Sequence, residues 1–217
     1  MPLLFYFLAG KLFALIVGGY YFKCLTRPYR LVLYLIGIAA ISESYGYYIM
    51  KNLHEHNIWL FNFYLVAEAW LMGMAAVQLL VVPWLKKVFL MLLVIGSIIW
   101  VLNVVRNSIY VFASLSMVYG LILLTVMYLA VLFTNSVFKN KNILVQPVFW
   151  LAISTILYCA CDIPYMVLHN YLITNAPVLS AKLISINDVL DIVRYPLVAI
   201  SFILLGRQKQ RVLNAAG

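Results

Sequence analysis

Acidic side chains are scarce in this chain: Asp and Glu together number six in 217 residues, and charged residues of both signs make up 10%. A soluble domain carries about 25% charged residues, so a water-facing surface cannot be assembled from this material. Cysteine is sparser still, at three. Cys24, Cys159 and Cys161 have neither zinc-finger spacing nor a disulfide pattern, which leaves packing as their reading. A Gly-rich phosphate loop and a serine in a nucleophile-elbow context are also missing, so neither phosphate-loop nor serine-hydrolase chemistry has a motif to rest on. The first apolar run, MPLLFYFLAGKLFALIVGGYYFK, lacks the basic n-region and small-residue cleavage site of a secretory leader, and reads as a membrane segment.

What the chain has in excess is apolar. Hydrophobic residues make up 66% of it and its mean hydropathy is +1.04. Runs of about 20 apolar residues, the length that crosses a bilayer as helix, recur from end to end. They predict an all-α membrane protein of seven transmembrane helices near 3–22, 31–50, 59–82, 88–105, 109–134, 147–170 and 183–206, forming one domain over 1–217 with a short basic cytoplasmic tail at 207–217. The breaks have local causes: KCLTRPYR and KNLHEHN are charged, VVPWLKK holds a proline and a lysine pair, and NSVFKNKN is polar.

A net charge of +9 would suggest nucleic acid in a soluble chain, but here the bases sit in short loops beside the spans. They therefore report orientation, and the expected partner is the lipid bilayer rather than nucleic acid. With the N-terminus outside, ten bases fall in inner segments (Lys23, Arg27, Arg30, Lys86, Lys87, Lys139, Lys141, Arg207, Lys209 and Arg211). Three fall in outer ones (Lys51, Arg106 and Lys182). The positive-inside rule then sets the N-terminus outside and the C-terminus inside, as expected for a multi-pass protein of a bacterial inner membrane.

Charges inside the spans carry the functional argument. An Asp or Arg near the centre of a span costs roughly 2.5–3.5 kcal/mol on insertion scales, so such residues persist where protein or water shelters them. On the expected topology Glu43, Glu68, Asp162, Asp188 and Asp191 all fall within spans and outside the inner third, with Lys11 and Arg194 near mid-depth. Asp188, Asp191 and Arg194 recur every three residues along one side of the last span. Ser42, Ser44 and Tyr47 surround Glu43, Asn62 precedes Glu68 by about two turns, and Asn187 and Tyr195 flank the strip on the last span. Spans four and five hold no charge, so spans one, two, three, six and seven are expected to enclose the polar volume while four and five pack and face lipid.

Five carboxylates against two bases leave an excess of negative charge that a dry interior does not tolerate. Protonation, hydration or a bound cation must neutralise it. The expectation is an outward-facing acidic pocket in which Glu43, Glu68, Asp162, Asp188 and Asp191 bind a proton, a cation or a cationic small molecule, for transport or sensing, with Lys11 and Arg194 as charge partners. Sensing would require a separate signalling partner. In the structural alternative, pairs such as Asp191 with Arg194, or Glu68 with Lys11, lock helices together. Two further classes stay open. His54, His56 and His169 with a carboxylate offer ligands for zinc and a metal-dependent hydrolase acting on a lipid-like substrate at the outer face; the other class is a non-catalytic subunit of a membrane complex. A retinal Schiff base is disfavoured, because Arg194 occupies the last-span position where a lysine would be needed.

The stretches ESYGYYIM, NIWLFNFYLVAEAW, PVFWLAISTILYCACD and INDVLDIVRYPLVAISF resemble a family of small seven-span bacterial membrane proteins of Bacteroidota type that has no assigned activity. The resemblance rests on Glu43 before a glycine-aromatic pair and on the NFY run before Glu68. It implies a fold and a location. Where that family tends to show His-Asn and Leu-Asn in the last span, this chain has Asn187-Asp188 and Leu190-Asp191.

Overall fold

The structure, a computed structural model, describes residues 2–54, 56–135 and 142–216; within these, the side chains of 2–5, 7, 169–170, 173–174, 177, 181, 184–188 and 213–216 are outside the description. The described residues are helical almost throughout. In chain order the helices are α1 (Pro2–Tyr20), α2 (Arg27–Tyr48), α3 (Ile58–Leu79), α4 (Pro83–Asn107), α5 (Ser114–Thr134), α6 (Pro147–Asn175) and α7 (Pro177–Ala216). A π-helical turn, Ile49–Leu53, prolongs α2, and a 3-10 turn, Ile143–Val145, leads into α6.

Local chemistry sets the helix starts. Pro28, Pro83 and Pro147 occupy the first or second helical position of α2, α4 and α6, where the missing N–H costs nothing. These helices begin several residues earlier than the apolar runs alone suggest for α2 and α4, because a proline that looks like a breaker is an initiator at that position. The expected loop at 171–182 shrinks to Ala176, since Pro177 opens α7 directly. The expected basic tail is a continuation of α7, whose 40 residues extend about 60 Å, twice the apolar core of a bilayer.

Among the described residues, six helical segments are long and apolar enough to cross a membrane: Arg27–Leu53, Ile58–Leu79, Pro83–Asn107, Ser114–Thr134, Pro147–Leu168 and Val189–Val212. This is the make-up of a multi-pass membrane protein.

Each helix packs on its neighbours in sequence, α1 closes the ring against α7, and α3 and α5 touch directly, which leaves α4 on the outside. Only 11% of the apolar window of α4 is buried, so this helix presents most of its surface outward. α5 both faces outward, at Leu115, Ile122, Val126 and Phe133, and packs inward. Leu121, Leu124, Met127, Tyr128 and Val131 of α5 are in the core, and Tyr128 donates its hydroxyl to the Met72 carbonyl of α3 at 3.2 Å. Small residues permit the tightest approach: a Cβ on Gly206 of α7 would lie 2.1 Å from the Tyr21 ring, so only glycine fits there without a shift.

Candidate functional site

Four helices bring ionisable side chains to one place. Lys11 lies midway along α1, Glu43 in the last two turns of α2, Glu68 midway along α3, and Asp191 and Arg194 on one side of α7. Lys11 is wholly buried, donates from Nζ to Glu43 Oε1, and stands 3.4 Å from Asp191 Oδ2. The other oxygen of Asp191 is 4.0 Å from Arg194 Nη1, which donates to Glu68 Oε1 at 2.7 Å. The result is a chain of alternating sign, Glu43–Lys11–Asp191–Arg194–Glu68, that ties α2, α1, α7 and α3 together. The cross-pairing differs from the expected Glu68–Lys11 contact: Lys11 serves Glu43 and Asp191, and Glu68 takes Arg194.

Aromatic rings complete the setting of both bases. Lys11 Nζ lies 5.0 Å from the centroid of Tyr195, and Arg194 Cζ lies 4.1 Å from that of Tyr158 on α6. A cation against a ring face is attracted by its quadrupole, most strongly where water is excluded. Tyr64 of α3 lies in the field of Glu68, Arg194, Asp191 and Glu43. Tyr64 and Tyr158 were not singled out in the sequence. The available signal is spacing, because each stands four residues, one helical turn, before a buried acid, Glu68 and Asp162 respectively.

Asp162 is 3% exposed, and its charge acts on Tyr158, so it brings a further carboxylate to the same region. Pro196 follows Arg194 by two residues and Pro164 follows Asp162 by two. Each proline removes the hydrogen bond to the carbonyl four residues earlier, Ile192 and Ala160, and so leaves an acceptor beside the charges on both helices.

The other sequence candidates separate from this cluster. Asn62, expected to line the polar volume with Glu68, is a structural clamp: its Nδ2 donates to the Ile109 and Val111 carbonyls at 2.7 and 2.9 Å, and its Oδ1 accepts from the Ala113 N–H at 3.1 Å. It holds the α4–α5 connection against α3. Ser44 turns its hydroxyl back to the Ala40 carbonyl of its own helix. His54, in a left-handed backbone conformation (φ 54°), and His56 are exposed. The side chains of His169 and Asp188 lie outside the described residues. Among the described residues, no three His, Cys, Asp or Glu side chains are grouped closely enough to hold a metal.

Chemically, three carboxylates and two bases in the ion-pair chain carry a formal charge of −1, and Asp162 adds another negative group. The two members with most access are Glu43, at 24% exposure, and Asp191, at 15%; Lys11, Arg194 and Glu68 are sealed behind them. Fold and site together define a multi-pass helical membrane protein with a buried charge network. Comparison with protein-family models, curated proteins and solved structures returns no match.

Proposed function

We propose that the network is a binding site for a proton, a cation or a cationic small molecule in a seven-span protein of a bacterial inner membrane, with the N-terminus outside and the site opening to the outer face. The observation that carries this reading is the charge sum. The five interlinked groups among the described residues sum to a formal charge of −1, in a place where unbalanced charge costs several kcal/mol. A mobile positive charge would neutralise that sum, and Glu43 and Asp191 are the most accessible members of the chain.

The orientation rests on the ten-to-three distribution of loop bases. It puts the end of α2 and the start of α3 and α7 on the outer side, which is the side nearest the network. Transport and sensing both begin with this binding step. Reconstitution in vesicles with an entrapped pH dye and an imposed cation gradient tests it: Glu68→Gln and Asp191→Asn are expected to abolish the response while the protein stays folded. A wild-type response that survives both substitutions refutes the assignment. The described histidines, His54 and His56, are exposed, and no described group of three His, Cys, Asp or Glu side chains supports the metal-dependent alternative.

A further inference from the structure

A second site lies on the other side of Glu68. Between α3, α4 and α5 there is an open cleft. Its walls are mainly apolar and aromatic, with Trp70, Trp100, Met117 and Tyr119 prominent, and Glu68 reaches it from α3. The outer wall is one face of α4, contributed by Leu93, Gly96, Ser97 and Trp100. Because α4 sits outside the ring and faces the bilayer, a molecule dissolved in lipid has direct access to this seam.

Polar groups in the cleft are mostly accounted for. The Trp70 indole donates to Ser97 Oγ at 2.8 Å, Ser97 donates to the Leu93 carbonyl at 3.1 Å, and Tyr119 donates to the Leu92 carbonyl at 2.8 Å. Trp100 is different. Its Nε1 is buried and has no acceptor among the described residues. A buried N–H without an acceptor costs about 1–3 kcal/mol, and in hydrocarbon no water is at hand to supply one.

We infer that the α3–α4–α5 cleft binds a lipophilic molecule carrying one exposed carbonyl oxygen, of the ester or ketone type, with that oxygen accepting from Trp100 Nε1 and the apolar body against Trp70, Met117 and Tyr119. The donor selects for an acceptor, the walls select for hydrocarbon, and the seam at α4 selects for a ligand arriving from the bilayer. Glu68 lines the cleft and also accepts from Arg194 in the ion-pair chain. The inference stands independently of whether that network binds a cation.

Quenching of tryptophan fluorescence in detergent by methyl dibromostearate, compared with dibromo-octadecane of the same chain length but without the ester, tests the site. The ester is expected to quench saturably and to bind about 3- to 10-fold more tightly than the hydrocarbon, the worth of one hydrogen bond. Trp100→Phe removes the N–H and keeps an aromatic wall; it should abolish the preference for the ester. Gly120→Leu projects a side chain from a cleft-lining position where Cβ meets only Ala69 Cβ, at 4.0 Å; with helical circular dichroism confirming the fold, it should weaken both quenchers. Since Trp100→Phe also deletes a fluorophore, the preference is read from the remaining tryptophans and checked by competition with unbrominated methyl stearate. Equal affinity for ester and hydrocarbon in the wild type, or quenching unaltered by Gly120→Leu, overturns the inference.

Discussion

Replacing Lys11 with Met deletes one of the two bases that each meet two carboxylates. Methionine matches the apolar stem of lysine in length, so packing along α1 is nearly preserved and the change is chiefly one of charge. In the wild type the local set of Lys11, Glu43 and Asp191 sums to −1; without Lys11 it becomes −2, with Arg194 4.0 Å from Asp191 as the remaining base in contact. Removing one partner of a buried ion pair costs about 3–5 kcal/mol, because the other charge stays behind. Lys11 is wholly buried whereas Glu43 and Asp191 retain some exposure, which places the expected loss toward the lower end, at about 3 kcal/mol. Reversible unfolding in mixed micelles measures it. The neutral triple variant Lys11→Met, Glu43→Gln, Asp191→Asn should recover most of the loss, since nothing ionised is then stranded. A loss under about 1 kcal/mol for the single variant, or a triple variant no more stable than the single one, would refute the electrostatic account of α1 docking.

Three other perturbations probe separate links. Asn62→Leu strands the Ala113 N–H and the Ile109 and Val111 carbonyls, so a loss of about 2–4 kcal/mol and faster amide exchange confined to 108–113 are expected; unchanged exchange there would count against the clamp. Gly206→Ala drives a methyl into the Tyr21 ring and should cost about 1–3 kcal/mol, with recovery when Tyr21→Ala is added; additive losses in unfolding experiments would show that the two do not meet. Arg194→Lys keeps the charge but gives up the planar contact with Tyr158, so it should weaken cation-dependent responses without unfolding the protein; vesicles reporting wild-type behaviour would remove Tyr158 from the site.

The helices and the intramembrane charges were legible because both are composition signals: a bilayer-length apolar run needs no partner to be recognised, and a carboxylate inside one needs shelter wherever it points. Partner choice was not legible. Lys11, Glu43, Glu68 and Asp191 come from four helices, and pairing Glu68 with Arg194 rather than Lys11 depends on how those helices are rotated about their own axes. Which side of α5 packs inward was hidden for a related reason. In a membrane a lipid-facing surface and a core-facing surface are equally apolar, so the run around Leu121 to Leu132 has no polar stripe to say which side is buried. Asn62 misled because an amide beside an acid reads as part of a polar site, whereas here it satisfies backbone groups of a connection 47 or more residues away. Ala176 alone separates α6 from α7, and the sequence around it looks like a longer loop because Asn175 and Pro177 both signal a break.

Infrared difference spectroscopy on the purified protein, stepping pH and monovalent cation concentration, reads the charge state of the carboxyl groups directly. An uncompensated charge on the network predicts a protonated carboxyl band, or a carboxylate band that shifts with the added cation, and either signal should disappear in Asp191→Asn or Glu43→Gln. Spectra with every network carboxylate ionised and insensitive to both pH and cations would contradict the claim that a mobile positive charge completes the site.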